Sequence, residues 1–416
     1  MSDKIKIFTI SDHPLSPSGV GTQTRYVIEG MLKTGKYEVV SFGGAIKHDS
    51  HGPQKTQEWG DLWTIWPVDG YGNQDMVRAM IHQQKPDILW FMTDPRFYGW
   101  LWEIEHEIRA HVPMVYYHVW DNYPYPTFNK PWYESNDYVA CISELTEDIV
   151  KTVAPNVDSS YLPHAVNDEV FKPLTEAVVQ EYRQTRGLQD KFVCFWNNRN
   201  ARRKQSGTLI FWFKEFLDRV GHDNATLIMH TDIKDVHGQD LEAIIHELGL
   251  TDGQVLFSQQ KVEAPDLAAI YNAVDLTINI SDAEGFGLAT LESLSCGTPI
   301  LVNMTGGLQY QVTDGKEWFG IGLEPTSKAI IGSQQVPYIY EDRLSKEDFI
   351  NAMVKLYEMS PEERAEMGAA GRAYTQKQFN FNDFVESWDK LLTTIHDEKG
   401  SWETRAGYQP YEMRTL

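Results

Sequence analysis

The sequence predicts an α/β protein of two doubly wound domains, each a parallel sheet covered by helices on both faces. Three observations lead there. The chain has 416 residues, too many for one ordinary hydrophobic core, so length favours two domains of roughly 200 residues each. β-rich runs alternate with helical patterns, as parallel sheets require. That alternation pauses at a turn-rich stretch, AVNDEVFKPLTEA (165–177), and then restarts.

In the first half, KIKIFTI (4–10), YEVVSF (37–42), DILWFMT (87–93), PMVYYHVW (113–120) and DYVACIS (137–143) are strands by their Val, Ile and aromatic content. Helical patterns lie between several of them. One runs from Gly21 to Leu32 and ends near Gly35; another runs from Leu145 to Val153 behind Ser143, a natural N-cap. After the pause come FVCFWNN (192–198), ATLIMHT (225–231), QVLFSQ (254–259), LTINIS (276–281) and PILVNM (299–304) as a second set of strands. Leu241 to Leu248 and Leu267 to Val274 supply helices among them, Ser360-Pro-Glu-Glu opens a further helix, and Asp383 to His396 forms another. The expected domains are 1–168 and 169–382, with a C-terminal helix, about 383–416, packing back onto the first.

Composition narrows the functional classes. The chain carries 37 basic and 59 acidic side chains, a net charge of −22, which disfavours nonspecific attraction to nucleic-acid backbones or anionic lipid. Cys141, Cys194 and Cys296 lie far apart in apolar surroundings, a pattern of neither disulfides nor zinc ligands. The N-terminal apolar run is too short and interrupted for a signal peptide, and no span nears the length of a membrane helix. A cytoplasmic location without stable membrane insertion is expected; the composition leaves oligomeric state open.

The stretch SDAEGFGLATLESLSCGTPILVN (281–303) carries the chemistry. Ligands of open α/β sheets bind beyond the carboxyl ends of strands, and here a strand runs out at Ser281, a glycine loop follows, and a helix starts near Gly287. Glycines admit a ligand close to the main chain, and amides at a helix start bind anionic oxygen. Glu284 precedes the loop and Glu292 lies more than a turn inside the helix, so the two carboxylates can touch different parts of one long ligand. Upstream, Arg202-Arg203-Lys204 follows another strand.

EGFGLATLESLSCGTP resembles the signature of retaining nucleotide-sugar glycosyltransferases of family 4, which have the GT-B fold. IYNAVDLTINIS resembles the tyrosine and aspartate that precede the family's loop. TGGLQYQVTDG resembles its second glycine loop, with Gln311 where an acidic residue is common. SGVGTQTRYVIEGMLKTGKYEV, VYYHVW, HAVNDEVFKP and NNRNARRKQ resemble the first glycine loop, the histidine strand, the interdomain segment and the basic loop. Little is recognisable beyond residue 330 or between about 45 and 80.

The resemblance implies GT-B architecture, two Rossmann-like doubly wound domains facing across a cleft and closing over the donor. It implies a metal-independent transfer from a nucleoside-diphosphate sugar, UDP-sugar first, to an acceptor hydroxyl with retained anomeric configuration. Glu284 would hold donor-sugar hydroxyls, Glu292 the ribose hydroxyls, and Arg203 and Lys204 the diphosphate, with Arg199 or Arg202 as alternative contacts. Gly285, Phe286, Gly287 and Leu288 complete the donor loop. Gly19 and Gly21 would line the first glycine loop, or form a plain turn. His118 either faces the donor sugar or is a core histidine; His164 and His230 are read as structural.

Trp120 and Asp121, at the head of an aromatic segment (116–133), are acceptor candidates, since rings stack on sugars and bases. No cofactor beyond the nucleotide sugar and no metal is expected, because fixed cations and amides can stabilise the departing phosphate. The acceptor stays open among a glycan, a lipid-linked sugar, a metabolite, a protein and a modified nucleic-acid base. The rival readings are a GT-B phosphorylase and a noncatalytic nucleotide-sugar-binding protein.

Overall fold

A computed structural model of the chain describes residues 4–409. They divide into two compact units. Unit 1 holds the residues up to Ala165, the short segment Gly332–Tyr338 and the residues from Asn382 onward; unit 2 holds Val166–Ile331 and Ile339–Phe381. The last part of the expected C-terminal segment, 410–416, lies outside the described residues.

Among the described residues, unit 1 contains β1 (Ile5–Asp12), β2 (Tyr37–Gly44), β3 (Gln54–Lys55), β4 (Trp63–Pro67), β5 (Ile88–Met92), β6 (Met114–His118), β7 (Tyr138–Cys141) and β8 (Ser159–Tyr161). They form one sheet in the order β3-β4-β2-β1-β5-β6-β7-β8. Every pairing is parallel except β3 with β4. All five residues of β5 and of β6 are buried, as a strand covered on both faces demands. The helix Gly19–Lys33 begins at Ser18, whose hydroxyl accepts from the Gly21 amide. The late helix Phe381–Lys399 sets Trp388, fully buried, edge-on to Trp90 and Tyr117 at 5.8 and 4.8 Å.

Unit 2 contains β9 (Phe192–Asn197), β10 (Ala225–His230), β11 (Val255–Ser258), β12 (Leu276–Asn279), β13 (Ile300–Asn303) and β14 (Gly320–Leu323), in the all-parallel order β11-β10-β9-β12-β13-β14. A separate antiparallel hairpin joins β15 (Ser327–Ile331) to β16 (Ile339–Arg343). The period-two alternation of a strand assigns the faces of β9. Phe192, Cys194 and Trp196 join Phe213 and Phe216 of the helix Ser206–Val220 in one core, while Phe195 packs edge-on to Tyr271 at 5.2 Å. The helix Pro361–Gln378 opens with a capping box between Ser360 and Glu363. Cys141, Cys194 and Cys296 are buried and unpaired.

The strand expected at 113–120 stops at His118, and the one expected at 37–42 continues to Gly44. Strands β3, β4, β8, β14 and the hairpin lie where sequence patterning placed no element. They are short, and β15 is largely exposed, so a hydrophobic period has little length in which to register.

Candidate functional site

The strand order of unit 2 reverses between β9 and β12: from β9 the chain moves outward to β10 and β11, and from β12 to β13 and β14. The loops leaving these two neighbouring strands therefore diverge and leave a crevice at their carboxyl ends. Arg202–Lys204, a single 3-10 turn, follows β9, and Glu284 follows β12. The turn is held by Gln205, which adopts a left-handed backbone at φ 56°. A non-glycine residue keeps that conformation only where its surroundings dictate it. Here the Gln205 amide donates to Asp282 Oδ2 at 2.6 Å, and its carbonyl oxygen accepts from Thr208 at 2.6 Å.

The four basic side chains of this loop have distinct partners. Arg199 pairs with Asp235 at 2.6 Å, and Arg202 with Glu341 at 2.5 Å. Arg203 donates to the Ala283 carbonyl, and Lys204 forms an ion pair with Glu284. The Lys204 and Glu284 side chains are only 9% and 12% exposed. Burial pushes the Glu284 carboxyl up, but Lys204 and Arg203 outweigh it and hold the group below its ordinary value. Asn279 Nδ2 donates to the same carboxylate at 3.3 Å.

The glycine loop is clamped from below. Gly287 sits at φ 91°, and a Cβ there would meet Leu308 Cδ2 at 2.5 Å, so only glycine fits. Gln311, fully buried, donates to the Phe286 carbonyl and accepts from Thr290, both at 2.7 Å. Its neutral amide does both jobs; a carboxylate could only accept. The helix Leu288–Ser295 follows, with Gly287 at its start, and leaves the first-turn amides of Leu288 and its neighbours without intrahelical acceptors. Gly285 lies half-buried ahead of it.

Glu292 stands inside that helix and accepts from the Tyr271 phenol at 2.8 Å, while Asn197, the last residue of β9, donates to the same phenol oxygen at 2.9 Å. Burial raises the Glu292 carboxyl to about 7, opposed by the Tyr271 hydrogen bond. Asp275, the other half of the tyrosine–aspartate pattern, lies at the opposite end of β12. There it receives Arg183, Arg364 and the Val193 amide, a structural duty.

In unit 1, His118 closes β6 and is wholly buried. It stands edge-on to Tyr133 and Tyr116 at 4.7 and 5.5 Å. Burial lowers its pKa to about 3, so the ring is neutral. Among the described residues neither ring nitrogen has a hydrogen-bond partner; a satisfied core histidine would have one. His164 differs, with Tyr117 at 2.8 Å from Nδ1, and His230 meets Ser258 at 2.9 Å. Trp120 is 5% exposed and edge-on to Phe128 at 5.8 Å; Asp121 beside it is half-buried. Gly19 is exposed at the first turn of its helix, whereas Gly21 is buried, and a Cβ there would meet Ser16 Oγ at 2.5 Å.

Unit 2 thus brings together Arg203, Lys204 and Glu284, and sets the glycine loop and Glu292 on the segment that follows. Gly19, Gly21, His118, Trp120 and Asp121 belong to unit 1. Sequence reasoning missed Asn197, Asn279, Gln205 and Glu341; the asparagines ending β9 and β12 were a usable signal, since polar residues closing buried strands mark ligand-facing ends. Among the described residues, no group of three or more His, Cys, Asp or Glu side chains is placed to hold a metal ion, and no helix is long and apolar enough to cross a membrane.

Residues 180–374 match the family described as Glycosyl transferases group 1. Two curated proteins are similar over shorter stretches. D-inositol 3-phosphate glycosyltransferase of Paenarthrobacter aurescens is 32% identical over 110 residues, 26% of this chain and 26% of that protein. Mannosylfructose-phosphate synthase of Agrobacterium fabrum is 29% identical over 187 residues, 44% of this chain and 40% of that one. The chain thus spans less than half the length of these curated relatives.

Solved structures extend the likeness in fold. Sucrose-phosphate synthase from Thermosynechococcus elongatus aligns with a TM-score of 0.75 at 17% identity, over 95% of this chain and 100% of that one. Anabaena HepE in complex with UDP and glucose aligns with a TM-score of 0.70 at 15% identity, over 94% and 100%. With two parallel-sheet α/β units, the fold is GT-B.

Proposed function

We propose that this protein is a retaining, metal-independent glycosyltransferase that moves a sugar from a nucleoside-diphosphate sugar, UDP-sugar first, to an acceptor hydroxyl. The observation that carries this reading is the convergence of Arg203 and the nearly buried Lys204–Glu284 pair where the loops of β9 and β12 diverge. With Arg199 and Arg202 committed to other carboxylates, Arg203 and Lys204 are the cations assigned to the diphosphate. The UDP choice draws support from structures of similar fold, HepE with UDP-glucose and the Escherichia coli trehalose-6-phosphate protein with UDP-2-fluoro glucose.

In the reaction, the bond between the anomeric carbon and the phosphate oxygen breaks, and a bond to the acceptor oxygen forms on the same face. The acceptor proton passes to the departing phosphate, so no protein base is required. Arg203, Lys204 and the amides at the start of the helix Leu288–Ser295 take up the charge gathering on the diphosphate without reorganising. Glu284, freed from Lys204 when phosphate draws the lysine away, accepts hydroxyls of the sugar and positions it. Glu292 accepts the ribose hydroxyls, and neutral His118 is assigned to a sugar hydroxyl. Trp120 and Asp121 are assigned to the acceptor, and the reaction is placed in the cytoplasm.

The test is a panel of UDP-, GDP- and ADP-sugars scored for protection against thermal unfolding, then for nucleoside-diphosphate release and the anomeric configuration of the product. An inverted product removes the retaining reading. Protection without turnover, across an acceptor panel, converts the protein into a binding module.

A further inference from the structure

Arg202 adjoins the two cations assigned to the diphosphate, yet it is committed to a carboxylate that the reaction scheme does not use. Its guanidinium donates to both oxygens of Glu341, at 2.8 and 2.5 Å, and the Glu341 side chain is 2% exposed. Glu341 arrives on β16. From the same strand, Arg343 donates to the Glu341 carboxylate at 2.7 Å and reaches Asp282 at 2.8 Å. Main-chain bonds run alongside: the Asp342 amide donates to the Asp282 carbonyl, and the Asp282 amide to the Arg203 carbonyl, both at 2.8 Å. Asn303 Nδ2 donates to the carbonyls of Ser281 and Asp342 at 2.9 and 3.2 Å. The two loops of the donor site are therefore fastened to each other at Asp282 and to the hairpin at Glu341.

We propose that Glu341 is a positioning residue for nucleoside-diphosphate binding: by holding Arg202 and Arg343, it fixes how the loop of Arg203 and Lys204 stands against the loop of Glu284. Glu341 touches no substrate. Its role rests on the reading that a diphosphate binds between those loops. A buried carboxylate with charged donors loses most when one partner is removed, because the survivors keep an uncompensated charge. The loss then falls on the geometry of Arg203 and Lys204, and so on the phosphates, while the nucleoside keeps its contacts.

The experiment measures dissociation constants of UDP and of uridine for the full chain and for the variants Glu341→Gln and Arg202→Gln. The expected result is UDP binding weaker by about tenfold in each variant, with uridine changed by less than about twofold. The double variant is expected to be no worse than Glu341→Gln alone, since that variant already breaks the link to Arg202. Arg202 is 59% exposed, so its variant carries the test if Glu341→Gln does not fold. Equal weakening of UDP and uridine, or UDP bound as tightly as by the wild type, overturns the proposal. A wild-type protein that binds none of UDP, GDP and ADP overturns the functional reading itself, and the positioning role with it.

Discussion

Lys204 and Glu284 form a nearly buried ion pair between the loops that leave β9 and β12, with Arg203 fastened to the carbonyl of Ala283 beside them. The pair joins a cation suited to phosphate and a carboxylate suited to sugar hydroxyls, so on the proposed function a nucleotide sugar would replace one internal bond with two external ones. Replacing Glu284 by Gln removes the charge and leaves Lys204 without its counter-ion. The expected outcome is a fall in kcat of about 100-fold or more, measured as UDP release from the preferred UDP-sugar, with UDP itself bound at least as tightly as before because the carboxylate charge no longer competes with phosphate for Lys204.

Lys204→Met is expected to act in the opposite sense on binding. It leaves Glu284 without its ion-pair partner and removes one of the two cations assigned to the diphosphate, so UDP affinity is expected to fall by about tenfold or more, worth on the order of 2 kcal/mol. Calorimetric titration with UDP reads it directly.

The Tyr271–Glu292 bond, completed by Asn197, gives a different signature. Tyr271→Phe deletes the donor that favours the ionised carboxylate, so the Glu292 pKa rises further above about 7. Affinity for UDP is expected to drop several-fold at pH 7 and to recover toward wild type at pH 9, where Glu292 is ionised in both. A pH series of binding constants checks this.

Stability should follow the same group. Glu292 ionises near 4.5 when exposed and near 7 in the folded protein, so between these values the folded form holds a proton that the unfolded chain has released. Its contribution to stability therefore falls as pH rises from about 4.5 to 7 and is level above. The loss is on the order of 2 kcal/mol after allowance for partial exposure. Glu292→Gln is expected to raise Tm relative to wild type more at pH 8 than at pH 5.

Gly287→Ala tests the clamp on the glycine loop. With φ at 91° and Leu308 in the way, the methyl group is expected to cost about 1 to 3 kcal/mol and to weaken UDP binding. Chemical denaturation and titration together measure both.

Much of unit 2 was legible in the sequence because its chemistry is local. The strand LTINIS, the Glu284–Glu292 spacing and the Arg203-Lys204 pair are contiguous patterns, and the structure sets them at the ends of neighbouring strands. What stayed hidden depends on pairings across the chain. Glu341 is 139 residues from Arg202 and sits on a short strand whose residues look like an exposed loop. Tyr271 was visible as part of a resemblance, but its hold on Glu292 needs two helices laid side by side. In unit 1, the burial of His118 could be read from the strand around it; the lack of partners for its nitrogens could not, because that depends on every neighbour at once.

The helix Phe381–Lys399 belongs to unit 1, where Trp388 lies against Trp90 and Tyr117 and the Tyr37 hydroxyl meets Asp389 at 2.8 Å. On a ribosome, strands β1 to β8 emerge long before that tryptophan is made, and all of unit 2 is translated in between. The nascent half must therefore wait with an open apolar slot until this helix arrives to fill it. A message interrupted ahead of the codon for Phe381 would release a polypeptide exposing Trp90 and Tyr117, and so a substrate for chaperones and proteases.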